Sequence, residues 1–92
     1  MTYVVVYDIE DDRVRGRVAS VLEDYGRRVQ ESVFECRLRE GELDGLVSRL
    51  QRELKQSGSG QVRVYRVCGS CIQASFDIGD IKSVDTGSCY IV

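Results

Sequence analysis

An α+β fold, an antiparallel sheet with two helices packed on one face, is what this 92-residue sequence predicts. Short β-branched or aromatic segments alternate with two longer stretches whose apolar residues recur at helical spacing. The length leaves room for a single domain, 1–92. At 42% hydrophobic and 30% charged, the composition is that of a globular chain with a core to bury. A chain this short buries a modest fraction of its surface, and oligomerisation is a common way to add core.

Tyr3 to Tyr7 is β-branched and aromatic without alternation, the pattern of a strand covered on both faces, and it ends at Asp8. Behind the acidic group Glu10, Asp11 and Asp12, which suits the positive end of a helix dipole, Val14, Val18, Val21, Leu22 and Tyr25 mark one helical face. Gly26 is placed to end that helix. Arg28 to Leu38 alternates in strand fashion and reads as one bent strand or a tight strand pair. Gly41 to Leu54 carries Leu43, Leu46, Val47, Leu50 and Leu54 on one face of a second helix, with Glu42, Asp44, Arg49 and Arg52 solvated opposite.

Residues 57–60, Ser-Gly-Ser-Gly, form a short flexible connector into a strand over Val62 to Val67. The tail, 72–92, alternates weakly through Ile72, Ala74, Phe76 and Ile78, then ends on the apolar, strand-prone Cys89 to Val92, which is expected to dock. The order strand, helix, strand pair, helix, strand is the split βαβ, ferredoxin-like plan. Its uncovered sheet face is a natural dimer interface or ligand platform.

The absence of histidine removes the commonest general base and metal ligand, so hydrolysis here would need carboxylates and a metal. A net charge of −2 argues against nucleic-acid binding driven by overall charge; any such binding must be local. No apolar run is long enough to cross a bilayer and no basic-plus-apolar signal segment opens the sequence, which predicts a cytoplasmic protein with reduced cysteines.

Asp8, at the end of a buried strand where the chain turns toward a helix, stands at a recurrent position for functional residues in α/β sheets. Spacing alone equally allows a capping or turn role, although Asp11 and Asp12 lie nearer the helix start. Magnesium accepts one or two carboxylates if waters and a substrate phosphate complete its shell, and a two-fold dimer would bring in a second Asp8. Five arginines (Arg13, Arg15, Arg17, Arg27, Arg28) fall within sixteen positions. They read either as phosphate contacts or as surface ion pairs with Glu23, Asp24 and Glu31. Cys68 and Cys71 have the spacing of half a zinc site with no second half, and their place after the last strand weighs against a thioredoxin-like role. Cys36 and Cys89 read as small core hydrophobes, and the aromatic residues as core or interface.

The motifs Val-Val-Val-Tyr7-Asp8-Ile, Asp11-Asp12-Arg, Asp24-Tyr25-Gly26, Arg28 through Ser32 and Phe34 to Glu35, and Val-Arg63-Val-Tyr65 fall in one order. Together they resemble the Cas-two family of CRISPR adaptation proteins, in register over about residues 3 to 71. Each motif is weak alone; the ordered set is specific. The resemblance implies a ferredoxin-like homodimer in which two copies of Asp8 face each other and bind magnesium. It places Tyr7 beside Asp8 in the catalytic centre, with Arg15, Arg17, Arg28, Ser32 and Phe34 toward nucleic acid. Members of the family are described as metal-dependent endonucleases on single-stranded RNA or double-stranded DNA. They are also the dimeric bridge between dimers of the Cas-one integrase in spacer acquisition, the partners this implies here. The resemblance further suggests that Cys89 to Val92 adds an edge strand to the partner protomer. A structural adaptor without nuclease activity, or an unrelated ferredoxin-like toxin or regulator, would fit the same fold.

Overall fold

The computed structural model describes residues 1–76, 78 and 79. In chain order the elements are β1 (Thr2–Asp8), α1 (Asp12–Tyr25), β2 (Gly26–Gln30), β3 (Val33–Arg37), α2 (Glu42–Ser57), β4 (Gln61–Val67) and α3 (Gly69–Ala74). The sheet order is β2-β3-β1-β4, with every neighbouring pair antiparallel, the ferredoxin-like arrangement the sequence predicts.

β1 departs from its sequence reading in one respect. The unbroken Val4-Val5-Val6 run suggested cover on both faces, yet burial alternates: Tyr3, Val5 and Tyr7 are buried, Thr2, Val4 and Val6 are half-buried, and Asp8 is exposed. Side chains one residue apart point to opposite faces, so the helices cover one face and leave the other to the chain's surroundings. Phe34, Leu22, Leu46, Val5, Val18 and Cys36 are the largest fully buried side chains.

Asp11 starts α1: its Oδ1 accepts hydrogen bonds from the backbone N–H of Arg13 at 2.9 Å and of Val14 at 3.1 Å, satisfying two donors that a helix start otherwise leaves unpaired. Val14, Val18, Ala19, Val21 and Leu22 form its buried face. Gly26 ends the helix and begins β2 with no intervening loop. A Cβ there would stand 2.2 Å from the Glu35 carbonyl oxygen, so this close helix-to-strand passage requires glycine.

The segment from Arg28 to Leu38 is a strand pair. β2 and β3 are joined through Glu31 and Ser32, with a bulge between Arg28 and Gln30. α2 buries Leu46 and Leu50, and it runs through Ser57, three residues past the predicted end. It stops at Gly58, whose φ of 70° lies in the left-handed region. Arg49 keeps a partly exposed side chain on the face its helical phase predicted, and it also makes a link between the helices. Its Nη2 lies 3.0 Å from Asp24 Oδ2 and its guanidinium 5.5 Å from the Tyr25 ring centroid, so it ties α2 to the end of α1.

After β4 the weak alternation through Ile72 and Ala74 does not make a strand. Gly69–Ala74 forms a short helix, with the Ile72 N–H on the Cys68 carbonyl at 3.1 Å and Ile72 as its single buried residue. The expected docking segment, Cys89 to Val92, and with it the exchanged edge strand, lies outside the described residues. Among the described residues, no helix is long and apolar enough to cross a membrane.

Candidate functional site

The C-terminal end of β1 collects most of the residues singled out in the sequence. In an antiparallel sheet, paired residues share a face. β1 pairs Val6 with Val33 and Arg63, and Asp8 with Gln61, so Asp8, Val6, Val33, Arg63 and Gln61 lie on the uncovered face. With Asp11 serving as the cap of α1, Asp8 is not needed for that role. Among the described residues its exposed carboxylate has no hydrogen-bond or ion-pair partner.

Arg15 reaches back from α1 to this end. Its Nη1 donates to the Ile9 carbonyl at 2.8 Å and to that of Glu10 at 3.3 Å, and its Nη2 pairs with Asp12. Arg15 thereby braces the two residues that follow Asp8. Ser32 joins from the β2–β3 turn, its carbonyl accepting the Tyr7 N–H at 3.1 Å. The Arg28 guanidinium donates to the Glu31 carbonyl at 2.6 Å and lies 5.1 Å from the Phe34 ring centroid. Arg17 bonds Gln56 in the last turns of α2, on the helix layer. Arg15 from α1, Arg28 from β2 and the Ser32 carbonyl of the turn thus each bond backbone groups at this end of the sheet, while Arg17 stays on the helix layer.

Tyr7 and Phe34 are not part of that surface. Both rings are buried in the core, at 4% and 0% exposure, with centroids 6.3 Å apart. Strand alternation puts the Tyr7 side chain on the face opposite Asp8, and its hydroxyl donates to the Glu31 carbonyl at 3.1 Å. The resemblance implies a catalytic place for Tyr7 beside Asp8 and a nucleic-acid contact for Phe34; in this chain both rings instead face the core. Within the chain both work from beneath, packing under the turn that carries Ser32 and Arg28.

Sequence reasoning gave Arg63 no role beyond its place in a motif and did not pair Arg27 with Glu35. Arg63 shares the uncovered face with Asp8, and its Nη1 donates to the Tyr65 hydroxyl at 3.3 Å, a bond that raises its already high pKa. Glu35 is buried on that same face, with Arg27 Nη2 at 3.7 Å from its Oε1. Strict period-two counting along β4 from the strand-end aspartate's partner would have found Arg63. Nothing in the sequence distinguishes Glu35 from the solvated Glu31.

Whether these residues suit magnesium turns on donor chemistry. Asp8 supplies a hard, exposed carboxylate oxygen, but the described residues contain no cluster of three or more His, Cys, Asp or Glu able to hold a metal. Among the described residues, one chain therefore offers Asp8 without a metal-binding cluster around it. That fits a cation which keeps most of its waters and takes one or two carboxylates together with phosphate oxygens.

Fold and site together define a small ferredoxin-like α+β protein with an exposed strand-end carboxylate, with Arg15 bound to the two residues that follow it. The family model described as CRISPR associated protein Cas2 matches residues 1–75, and the chain belongs to this family. It is 42% identical over 93 residues, spanning 100% of both chains, to a protein of Chloroflexus aurantiacus named CRISPR-associated endoribonuclease Cas2 1. The crystal structure of Streptococcus pyogenes Cas2 superposes with a TM-score of 0.75 at 27% identity, covering 86% of this chain and 100% of that one. A chain from a partial Cas6-RT-Cas1–Cas2 complex gives a TM-score of 0.75 at 31% identity, covering 84% and 89%. Family membership sets aside the unrelated toxin or regulator.

Proposed function

We propose that the chain serves CRISPR spacer acquisition as a homodimer that bridges Cas1 subunits. On this reading it is also a magnesium-dependent endonuclease on single-stranded RNA, double-stranded DNA or both. The observation that carries the proposal is Asp8: exposed, unpaired among the described residues, and set on the uncovered sheet face where a second copy can meet it. The nuclease name of the Chloroflexus relative and the Cas1–Cas2 complex that holds a similar chain support the two halves of the reading.

In this proposal the two Asp8 carboxylates hold the cation between protomers, while Arg15, Arg28 and Ser32 orient the phosphate backbone at the sheet end. Arg17 extends the cationic surface over the helix layer. When bound, magnesium supplies charge stabilisation at the phosphate and a more acidic water. Tyr7 and Phe34 keep the β2–β3 turn in place.

A second reading, a non-catalytic adaptor, is favoured by one observation. Among the described residues no cluster of carboxylates joins Asp8, and the sequence has no histidine to act as a general base.

One experiment separates the two. Wild type and Asp8→Asn are each co-purified with the cognate integrase and then assayed with magnesium on RNA and on duplex DNA. The nuclease reading expects cleavage to fall by at least about tenfold, the scale on which metal-site changes act, with the dimer retained. Unchanged magnesium-dependent cleavage by Asp8→Asn sinks it. Intact integrase binding, with no cleavage by either protein, leaves the adaptor.

A further inference from the structure

Cys68 and Cys71 belong to neither the core nor the Asp8 site. Both are exposed, and their sulfurs are 3.1 Å apart where the chain leaves β4 and enters α3. Cys68 occupies the extended position just before the helix, with φ −73° and ψ 161°, and Cys71 stands in the first turn. A disulfide needs sulfurs about 2.05 Å apart, so closing this pair takes a movement of about 1 Å. The Ile72 N–H bond to the Cys68 carbonyl at 3.1 Å fixes the backbone loop on which both thiols ride. Ser70 Oγ lies 3.3 Å from the Cys68 sulfur.

The two thiols are unequal. Hydrogen bonds from Ser70, and then from Cys71, hold the Cys68 thiol down to about 7, while the bond to Cys68 pushes Cys71 up. Cys36 gives the contrast: it is buried beneath the helices, and burial, helped by the Glu35 charge, pushes its thiol up to about 11. An exposed thiol near half ionisation at neutral pH, with a second thiol in contact, has the arrangement of an attacking and a resolving cysteine. No third metal donor accompanies the pair among the described residues, so the geometry is that of a dithiol rather than of a closed metal site.

We propose that Cys68 and Cys71 form a thiol–disulfide exchange site whose substrate is a small-molecule disulfide such as oxidised glutathione. The Cys68 thiolate attacks one sulfur of the disulfide, forming a mixed disulfide and expelling one thiolate. The Cys71 thiolate then attacks the Cys68 sulfur, forming the Cys68–Cys71 bond and expelling the second thiolate. Two protein thiols are oxidised, the small disulfide is reduced to two thiols, and the two protons lost by the cysteines end on those products. The closed form covalently fixes the turn between β4 and α3.

The test treats the reduced full chain with oxidised glutathione at pH 7, followed by tryptic peptide mass mapping. Both cysteines fall in the peptide from Val67 to Lys82, apart from Cys36 and Cys89. The expected product is that peptide lighter by two hydrogens and carrying no glutathione, whereas Cys71→Ser retains one glutathione on Cys68. Iodoacetamide at pH 7 should modify Cys68 at least about threefold faster than Cys71, the gain in thiolate outweighing the loss of intrinsic nucleophilicity. Stable glutathione on both cysteines, an unmodified peptide, or faster labelling of Cys71 than of Cys68 each overturns the proposal.

Discussion

The two faces of β1 divide the molecule's work. Tyr3, Val5 and Tyr7 lie under the helices with Phe34 and Cys36, while Val4, Val6 and Asp8 alternate with them on the open face beside Arg63 and Glu35. One strand thus builds the core with every second residue and presents a surface with the others. The difference teaches that adjacent residues here carry unrelated duties. Tyr7 and Asp8 are neighbours in sequence, yet one is packed in the core and the other is exposed on the open face.

Three substitutions probe that division. The largest expected effect is on the covered face, where Phe34→Ala empties a fully buried ring site and should cost about 4 kcal/mol in chemical denaturation. A loss below about 1 kcal/mol would mean the ring is not a core element. Tyr7→Phe comes next, keeping the ring and deleting the bond to the Glu31 carbonyl, for about 1 kcal/mol. Nucleic-acid cleavage by Tyr7→Phe should match wild type once both are folded; a specific loss of activity would return Tyr7 to the catalytic centre. The smallest effect on stability is expected on the open face. Asp8→Asn removes a charge with no described partner, and the unfolding midpoint should correspond to a change within about 0.5 kcal/mol. A clear gain or loss in that measurement would reveal a structural duty for Asp8.

The pH dependence of labelling sharpens the same contrast between surface and core. The alkylation rate at Cys68 should climb as the thiol ionises through about pH 7, and level off above it. Cys36, raised to about 11 and buried, should stay unlabelled in the native protein across pH 6 to about 9 and become reactive only in denaturant. Labelling of Cys36 at neutral pH without denaturant would show that the covered face opens.

Much of this was legible in the sequence. Helical spacing located α1 through Val14, Val18 and Leu22, and α2 through Leu46 and Leu50, because a periodic apolar stripe has few alternative uses. The strand-end position of Asp8 was legible for a similar reason, since the β-branched run stops there. An open face followed from the split βαβ plan, but which β1 residues it carries did not, because three consecutive valines erase the alternation that separates one face from the other. For Tyr7 and Phe34 the residue types pointed to core or interface and the family motifs pointed to the site, because motifs mark positions but not the direction in which a side chain points. In α3, Ile72 and Ala74 offered two residues of apparent alternation, too few to separate a strand from one helical turn.

Gly26 belongs at once to the end of α1 and the beginning of β2, and its missing side chain lets it pass against the Glu35 carbonyl. With no loop residue to absorb a change in length, the phase of the helix and the pairing of the hairpin are geared together. One residue added to the last turn of α1 would advance β2 by one step along β3. Arg27 and Arg28 would then trade sides, the first leaving Glu35 and the second leaving Phe34. Chain length is therefore constrained at this junction by mechanics, while the far end of β2, where a bulge between Arg28 and Gln30 already absorbs an extra residue, has slack to tolerate a change.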